Sequence, residues 1–203
     1  MSSQRLPGKV LKELYGVPML LIMVDRVLES KKITHIVIAT SKDKTDNAIE
    51  LFCRQHKFPY YRGSLADVLD RYYQISRIYE PDHIVRLTGD CPLIDPVIID
   101  KTIDHHLNGN YDYTKNMWFP DGLDVEVMTA DALGKAWKEA HTSYEREHVC
   151  PYFINNQMLF KIGYYRNKID LSGVKISVDT LEDFERVERL INNQLNSTRA
   201  ISA

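Results

Sequence analysis

The chain has 203 residues, 44% hydrophobic and 27% charged, which is enough for one sizeable core. Its net charge of −2 excludes little, but with no long stretch dominated by Lys or Arg it argues against a nucleic-acid or anionic-membrane binder. Cys53, Cys91 and Cys150 are odd in number and form no C-x-x-C pair, no apolar run is long enough to span a bilayer, and no signal-peptide core opens the chain. A cytoplasmic protein engaging neither membrane nor nucleic acid is expected.

The first residues are polar and cationic. Arg5 and Lys9 bracket Pro7-Gly8, a pair that makes the backbone turn tightly, so amide N–H groups and both charges can converge on one anion such as a polyphosphate. This is not the common phosphate loop: no glycine stands five residues before Gly8, and Val10 occupies the place of the Ser or Thr that would hold magnesium. Taken alone, the string reads more readily as a solvated basic segment ahead of the first helix; the rest of the chain reverses that reading.

Met19, Leu20, Met23, Val24, Val27 and Leu28 recur at helical spacing up to about Ser30, and residues 33–40 form a nearly continuous β-branched run, the pattern of a strand buried on both faces of a parallel sheet. A helix over 43–57 with Ala48, Leu51 and Phe52 inward, a short strand at Tyr60-Tyr61, and a helix marked by Leu65, Val68, Leu69, Tyr72, Ile75 and Tyr79 continue a βαβ rhythm. The strand 83–88 runs into Gly89-Asp90. Ligands collect beyond the carboxyl ends of strands in open α/β sheets, so this dipeptide is a candidate site.

After a helix over 96–107 the rhythm changes. Residues 111–114 and 122–128 read as strands of mixed direction with one charged face, followed by helices over 130–140 and 144–155 and an extended 158–165. The strand 174–178 ends in Asp179, and Thr180 caps a last helix built on Leu181, Phe184, Val187 and Ile191. No repeat, low-complexity segment or linker divides the chain, so residues 1–203 read as a single domain.

Arg5-Leu6-Pro7-Gly8-Lys9, Gly89-Asp90-Cys91-Pro92-Leu93-Ile94-Asp95 and Val178-Asp179-Thr180-Leu181-Glu182-Asp183 stand in the order seen in sugar cytidylyltransferases. The chain resembles that family, which includes the CMP-ketodeoxyoctonate and CMP-sialate synthetases, over nearly its whole length. It is most similar to the spore-coat polysaccharide biosynthesis protein F branch through Arg62-Gly63-Ser64, Val68-Leu69-Asp70-Arg71-Tyr72-Tyr73, the run Asp121-Gly122-Leu123-Asp124-Val125-Glu126-Val127, and Arg146-Glu147-His148-Val149.

The resemblance implies a Rossmann-like α/β nucleotide-diphospho-sugar transferase fold: a mostly parallel sheet with helices on both faces and a small mixed-strand insertion over 111–129 that serves dimerisation or sugar binding. It implies an enzyme that transfers CMP from CTP to an acidic or other sugar and releases pyrophosphate, for polysaccharide or surface-glycan synthesis, as a homodimer. Such transfers are accelerated mainly by in-line positioning and by cations facing the developing charge. Arg5, a planar fork, and Lys9, a mobile point charge, are accordingly assigned to the triphosphate and the departing pyrophosphate. Ser3, Leu6, Gly8, Gly89 and Arg71 fall at nucleotide-binding positions, although Arg71 reads almost as well as an exposed helix arginine paired with Asp67.

Magnesium, or manganese, is usually held by one or two carboxylates plus phosphates and water, and Asp90 and Asp179 are the expected ligands because each follows a strand and emerges at the same sheet edge. For Asp179 the alternative of a helix cap is about even. Asp124 and Glu126 share a strand face, where they bind sugar hydroxyls or a second metal, or form the wet face of a dimer contact. Only the branch similarity makes Arg146 and His148 sugar contacts.

In the family a hydrophobic first strand precedes the phosphate loop and ends in an Ala-Arg. Here Met1-Ser2-Ser3 stands at that place, so the first central strand is expected to be absent and the strands at 33–40 and 83–88 to have unpaired edges. Each buried unpaired group costs about 1–3 kcal/mol. Two other readings compete: a glycosyltransferase on a similar fold, which would usually carry an Asp-x-Asp pair where Gly89-Asp90-Cys91 stands, and a degenerate nucleotide-binding module. The expectation is that the 203-residue form expresses poorly or lacks activity; a soluble, cooperatively melting protein with full turnover contradicts it.

Overall fold

In the computed structural model the backbone is described for residues 5–201 and the side chains for residues 5–192, so Ser3 lies outside the described residues. After a 3-10 turn at Lys9–Leu11, a minimal hairpin of β1 (Glu13–Leu14) and β2 (Val17–Pro18) leads into α1 (Met19–Leu28), whose Met19, Leu20, Met23, Val24 and Val27 are buried. Next come β3 (Ile38–Ser41), α2 (Asn47–His56), β4 (Tyr60–Gly63), α3 (Val68–Tyr79), β5 (His83–Arg86), α4 (Pro96–Gly109), β6 (Tyr113–Met117) and β7 (Glu126–Thr129). The chain ends with α5 (Ala130–Glu139), α6 (Ser143–His148), α7 (Cys150–Asn155), β8 (Ile162–Arg166) and α8 (Leu181–Ile201).

The principal sheet has the order β5-β7-β6-β8 and mixed direction: β7 is antiparallel to β5 and β6, whereas β6 and β8 are parallel. Helices cover both faces. Leu69 of α3, Leu133 and Ala136 of α5 and Phe153 of α7 pack on Tyr113 and Met128 from one side. Met23 and Val27 of α1 and Ile99 and Ile103 of α4 pack on Val125 and Val127 from the other. The segment 111–129, expected as a peripheral insertion, supplies the two inner strands; its exposed large side chain is Trp118, in the loop between them.

Several expectations are corrected. Of the run 33–40 only the last part, Ile38–Ser41, is regular strand, and Ile33, Ile36, Val37 and Ile38 are half-buried rather than buried on two faces. The buried face of α2 is Ile49, Phe52 and Cys53, while Leu51 is 57% exposed and Ala48 is exposed as well. The helix expected over 144–155 breaks at Val149, which sits at φ 66 between α6 and α7; Pro151 cannot continue a helix whose carbonyl at residue 147 its ring would strike. Residues 174–178 form no regular strand; among the described residues their β-pairing is an isolated bridge, Lys175 to Asp121.

The first of these corrections has a clear cause. Among the described residues β3 pairs only with β4, β5 pairs only with β7, and no ladder joins the two sheets. Between them lies a cavity of about 350 Å3, walled by Ile36, Ile38 and Ala39 on one side and by Val85, Leu87 and Gly89 on the other. This slot leaves residues 33–37 without a paired neighbour among the described residues, and they stay irregular because a strand needs a partner. The two sheets are bridged instead by side chains, with Ile36 packing against both the α1–α4 core and the α1–α2 core.

Hydrogen exchange tests this directly. Amides of residues 33–37 should show the low protection of locally open segments while those of Tyr113–Met117 approach global protection; equal protection in the two segments would contradict the divided sheet.

Candidate active site

The site forms where β5 runs out through Leu87 and Thr88 into Gly89-Asp90. Three distant segments meet there. The first is the turn around Gly8, which adopts a left-handed conformation at φ 71 that a glycine takes without steric cost. Lys9 N–H donates to the Leu6 carbonyl at 3.2 Å and Leu11 N–H to the Gly8 carbonyl at 3.0 Å. Leu6 is buried against Leu14, Met19, Leu93, Val178 and Val187, so the turn is anchored from below by an apolar plug. Gly89 allows the close approach: a Cβ there would lie 3.3 Å from Val10.

The third segment is 174–179. The backbone of Asp121 receives it, accepting from Ile176 and Ser177 N–H at 2.7 and 3.0 Å, and Val178 N–H donates to the Asp90 carbonyl at 2.8 Å. Asp179 is thereby delivered beside Asp90 without the strand the sequence suggested.

The Lys9 ammonium lies between them. It donates to Asp90 Oδ2 at 3.1 Å, to Asp179 Oδ1 at 3.0 Å and to the Val178 carbonyl at 2.7 Å, using all three of its N–H bonds. Its side chain is only 13% exposed. Two carboxylate oxygens bound to one nitrogen at these lengths are no more than about 6 Å apart. Arg5 reaches Asp179 Oδ1 at 3.2 Å from an exposed position, so both expected phosphate-binding cations stand on this rim.

The sequence left open whether Asp179 caps the last helix. Thr180 and Asp183 do that work instead: Asp183 N–H donates to Thr180 Oγ1 at 3.2 Å, and Asp183 Oδ2 accepts from the N–H groups of Thr180 and Asp179 at 3.1 and 3.0 Å. Lys175 Nζ then bridges Asp183 at 2.7 Å and Asp179 at 3.1 Å. Burial alone would push these carboxyls up. For Asp179 the hydrogen bonds and charges of Lys9 and Lys175 outweigh it, for Asp90 the Thr88 and Lys9 interactions do, and for Asp183 the Lys175 and backbone hydrogen bonds do, so all three lie below the ordinary value.

A cavity of about 200 Å3 opens from this rim, lined by Arg86, Asp90, Lys115, Asp124, Glu126 and Asp179 among others. Asp124 and Glu126 both face it, but the Glu126 carboxylate is already engaged by Arg86 and by the Tyr113 hydroxyl at 2.8 Å, and its side chain is 8% exposed. Arg71 does not pair with Asp67. Its guanidinium lies in the slot between the sheets, with long contacts to the Ala39 and Leu65 carbonyls at 3.4 and 3.5 Å and a buried, unpartnered Nε. Asp67 belongs instead to Arg146, at 2.7 Å, and Arg146 also donates to the Trp137 carbonyl at 2.7 Å. His148 is exposed and lies tilted against the Tyr144 ring, and neither Arg146 nor His148 joins the Asp90 cavity.

Sequence reasoning missed Lys175 and Asp183, which position Asp179, and Arg86 and Lys115, which line the cavity. The Thr-x-x-Asp spacing was the available signal for Asp183. Among the described residues no cluster of three or more His, Cys, Asp or Glu could hold a metal ion by itself, and no helix is long and apolar enough to cross a membrane.

Comparison with known proteins now adds to this geometry. A protein-family model described as cytidylyltransferase matches residues 1–201. Curated relatives include an uncharacterized protein of Methanocaldococcus jannaschii, 44% identical over 90% of this chain and 76% of its own length. Another is the spore coat polysaccharide biosynthesis protein SpsF of Bacillus subtilis, 35% identical over 94% of this chain and 82% of its own length. Among solved structures, a cytidylyltransferase from Leptospira borgpetersenii superposes with a TM-score of 0.90 at 35% identity, covering 95% of this chain and 83% of that one. A CMP:2-keto-3-deoxy-manno-octonic acid synthetase complexed with CTP shares the fold, with a TM-score of 0.72 at 16% identity, covering 95% of both chains.

The depressed Asp183 carboxyl makes a pH prediction. A group with a folded pKa below its ordinary 3.8 contributes stability above that pH, and the contribution is lost as pH falls through the lower folded value. Asp183→Asn should be less stable than the parent at pH 7 by about 1–3 kcal/mol. Its unfolding free energy should also fall less steeply below about pH 4; denaturant melts across pH 2 to 7 giving parallel curves for the two proteins would contradict it.

Proposed function

From the premise that the chain belongs to the cytidylyltransferase family and carries its activity, transfer of CMP from CTP onto a sugar, we propose that the rim around Lys9 is where the triphosphate reacts. The observation that carries this reading is the convergence of Lys9 on Asp90 and Asp179. In the reaction a sugar oxygen forms a bond to the α-phosphorus while the bond to the β-phosphate bridge breaks, and pyrophosphate leaves with the electron pair. What accelerates this is positive charge held in place around the phosphates.

The fit of a divalent ion rests on the donor set. Asp90 and Asp179 are two hard oxygen donors held together at one rim, below their ordinary pKa, and already holding a cation, the Lys9 ammonium. They would hold magnesium or manganese together with phosphate oxygens, which supply the remaining positions and explain why no all-protein metal cluster is needed. The ion supplies neutralisation of triphosphate charge.

Lys9 is then a placeholder. In the structure it neutralises the carboxylates; with nucleotide bound it would leave them to the ion and donate to a phosphate, beside Arg5. Backbone amides around Leu6, Gly8 and Gly89 line the same approach, and Arg71, with its free Nε, points along the slot that reaches Gly89.

Three extensions belong to this reading. The product serves surface polysaccharide assembly, which the likeness to SpsF supports. The protein works in the cytoplasm, where CTP is available and where its three buried cysteines stay free. It acts as a homodimer, whose contact in 111–129 must use the exposed Trp118 loop because β6 and β7 are inner strands.

A panel of the four nucleoside triphosphates against eight- and nine-carbon acidic sugars, read as pyrophosphate release, should respond to CTP alone; release with none of them contradicts the reading. The placeholder role has its own readout. Wild-type protein should bind Mn2+ weakly until CTP is added, whereas Lys9→Met should bind Mn2+ without nucleotide yet lose roughly 10²–10³-fold in kcat/KM. Equal nucleotide-free Mn2+ affinity in the two proteins contradicts the exchange.

A further inference from the structure

Arg146, in the run Arg146-Glu147-His148-Val149, lines neither the Asp90 cavity nor the slot, and its partners lie on two other helices. Its Nε and one terminal nitrogen donate to Asp67 Oδ2 at 3.0 and 2.7 Å, and the other terminal nitrogen donates to the Trp137 carbonyl at 2.7 Å. Trp137 is itself fixed on α3: its indole N–H donates to Asp70 Oδ1 at 2.8 Å, and its ring stacks on Tyr73 at 4.0 Å. α5 and α6 thus plant a rigid guanidinium fork on the first turn of α3.

The carboxylate under that fork has a second possible partner. Asp67 is the N-cap of α3, with Oδ1 accepting from Asp70 N–H at 2.8 Å, and it stands four residues before Arg71, whose N–H donates to the Asp67 carbonyl at 3.4 Å. A carboxylate and an arginine at that spacing pair readily on a helix. Arg71 is open to such a partner. Its guanidinium makes long contacts, at 3.4 and 3.5 Å, to the carbonyls of Ala39 and of Leu65, two residues before Asp67, and its Nε is buried without a partner. Burial lowers the Arg71 pKa below its ordinary value, and the charges opposing that fall include Asp67.

We propose that Arg146 is a positioning residue that acts through Arg71: by occupying the Asp67 carboxylate it keeps the Arg71 guanidinium in the slot, available to the nucleotide. The inference rests on the reading in which Arg71 engages CTP, and it adds that Asp67 is the competitor from which Arg71 has to be kept. Without Arg146 the released carboxylate takes Arg71, and the guanidinium is spent within α3. With the Asp67 charge removed as well, no competitor remains. An asparagine at that position still caps the helix, so the charge can be deleted without deleting the cap.

Titration calorimetry of CTP without divalent ion, beside the KM for CTP from pyrophosphate release, tests this. Arg71→Met should weaken CTP roughly 10–100-fold, the loss of a charge-assisted hydrogen bond. Arg146→Met should weaken it by a comparable factor with kcat little changed, and Arg146→Lys, which keeps a cation on Asp67, should recover most of the affinity. Asp67→Asn alone should bind CTP as the parent does and, combined with Arg146→Met, should restore binding; a purely structural Arg146 gives no such rescue, because deleting its partner cannot repair helix docking. In the Arg71→Met background, Arg146→Met should cost no further affinity. Where Arg146→Met melts below the assay temperature, Arg146→Gln, which can still donate to the Trp137 carbonyl, takes its place. A loss that persists when Asp67→Asn is added, or that adds to the loss in Arg71→Met, overturns the inference and leaves the nucleotide role of Arg71 standing. Parent-like CTP affinity in Arg71→Met overturns that role and the inference with it.

Discussion

The structure depends on one cation held by two anions. Asp90 and Asp179, 89 positions apart in the chain, repel each other at the separation the fold imposes, and a point charge between them removes that repulsion in a partly desolvated place where it is poorly screened. Lys9 can supply that charge only because Leu6 anchors the preceding turn in the core and Gly8 takes a left-handed conformation. Asp179 can receive it because Thr180 and Asp183 cap α8, so its carboxylate is not spent on the helix N-terminus. On the proposed reading, the same electrostatics would favour a divalent ion and a polyanion together, since these replace one internal cation by a more highly charged one and give the lysine a new anionic partner.

Much of this was legible in the sequence, for reasons that can be stated residue by residue. Helical periodicity located α1, α3 and α4, because apolar spacing is a local property that tertiary structure had no cause to override. The Gly89-Asp90 position beyond β5 was legible because strand ends in α/β sheets are where backbone and side chains face open space. What failed was whatever depended on a partner. The run 33–40 has the composition of a buried strand, yet composition cannot provide the neighbouring backbone that would make it one. Residues 174–178 look like a strand and are instead fastened by bonds to Asp121 and Asp90. The α2 face was misplaced by one residue because Ala48 and Leu51 fit the same period as Ile49 and Phe52. Arg71, Asp67 and Arg146 could not be sorted at all, since the pair that forms lies 79 positions apart.

The divided sheet and the site are connected. The slot between β3 and β5 opens at Gly89, beside Val10, and holds the unpartnered Nε of Arg71. Among the described residues the half carrying β3 and β4 therefore meets the half carrying β5 to β8 through side chains of α1, the turn at Gly8 and the Lys9 ion pairs, without backbone ladders between them. The residues proposed to position nucleotide also help to hold the halves together, so occupancy of the site should bear on the stability of the whole chain.

The central claim is that the place now filled by the Lys9 ammonium is where a divalent ion sits when nucleotide is bound. A crystal structure of the protein with CTP and Mn2+, phased to show the anomalous signal of manganese, tests it most directly. The account predicts a single strong manganese peak beside both Asp90 and Asp179, with Lys9 turned onto a phosphate. A peak elsewhere, with Lys9 still bridging the two carboxylates, would contradict it.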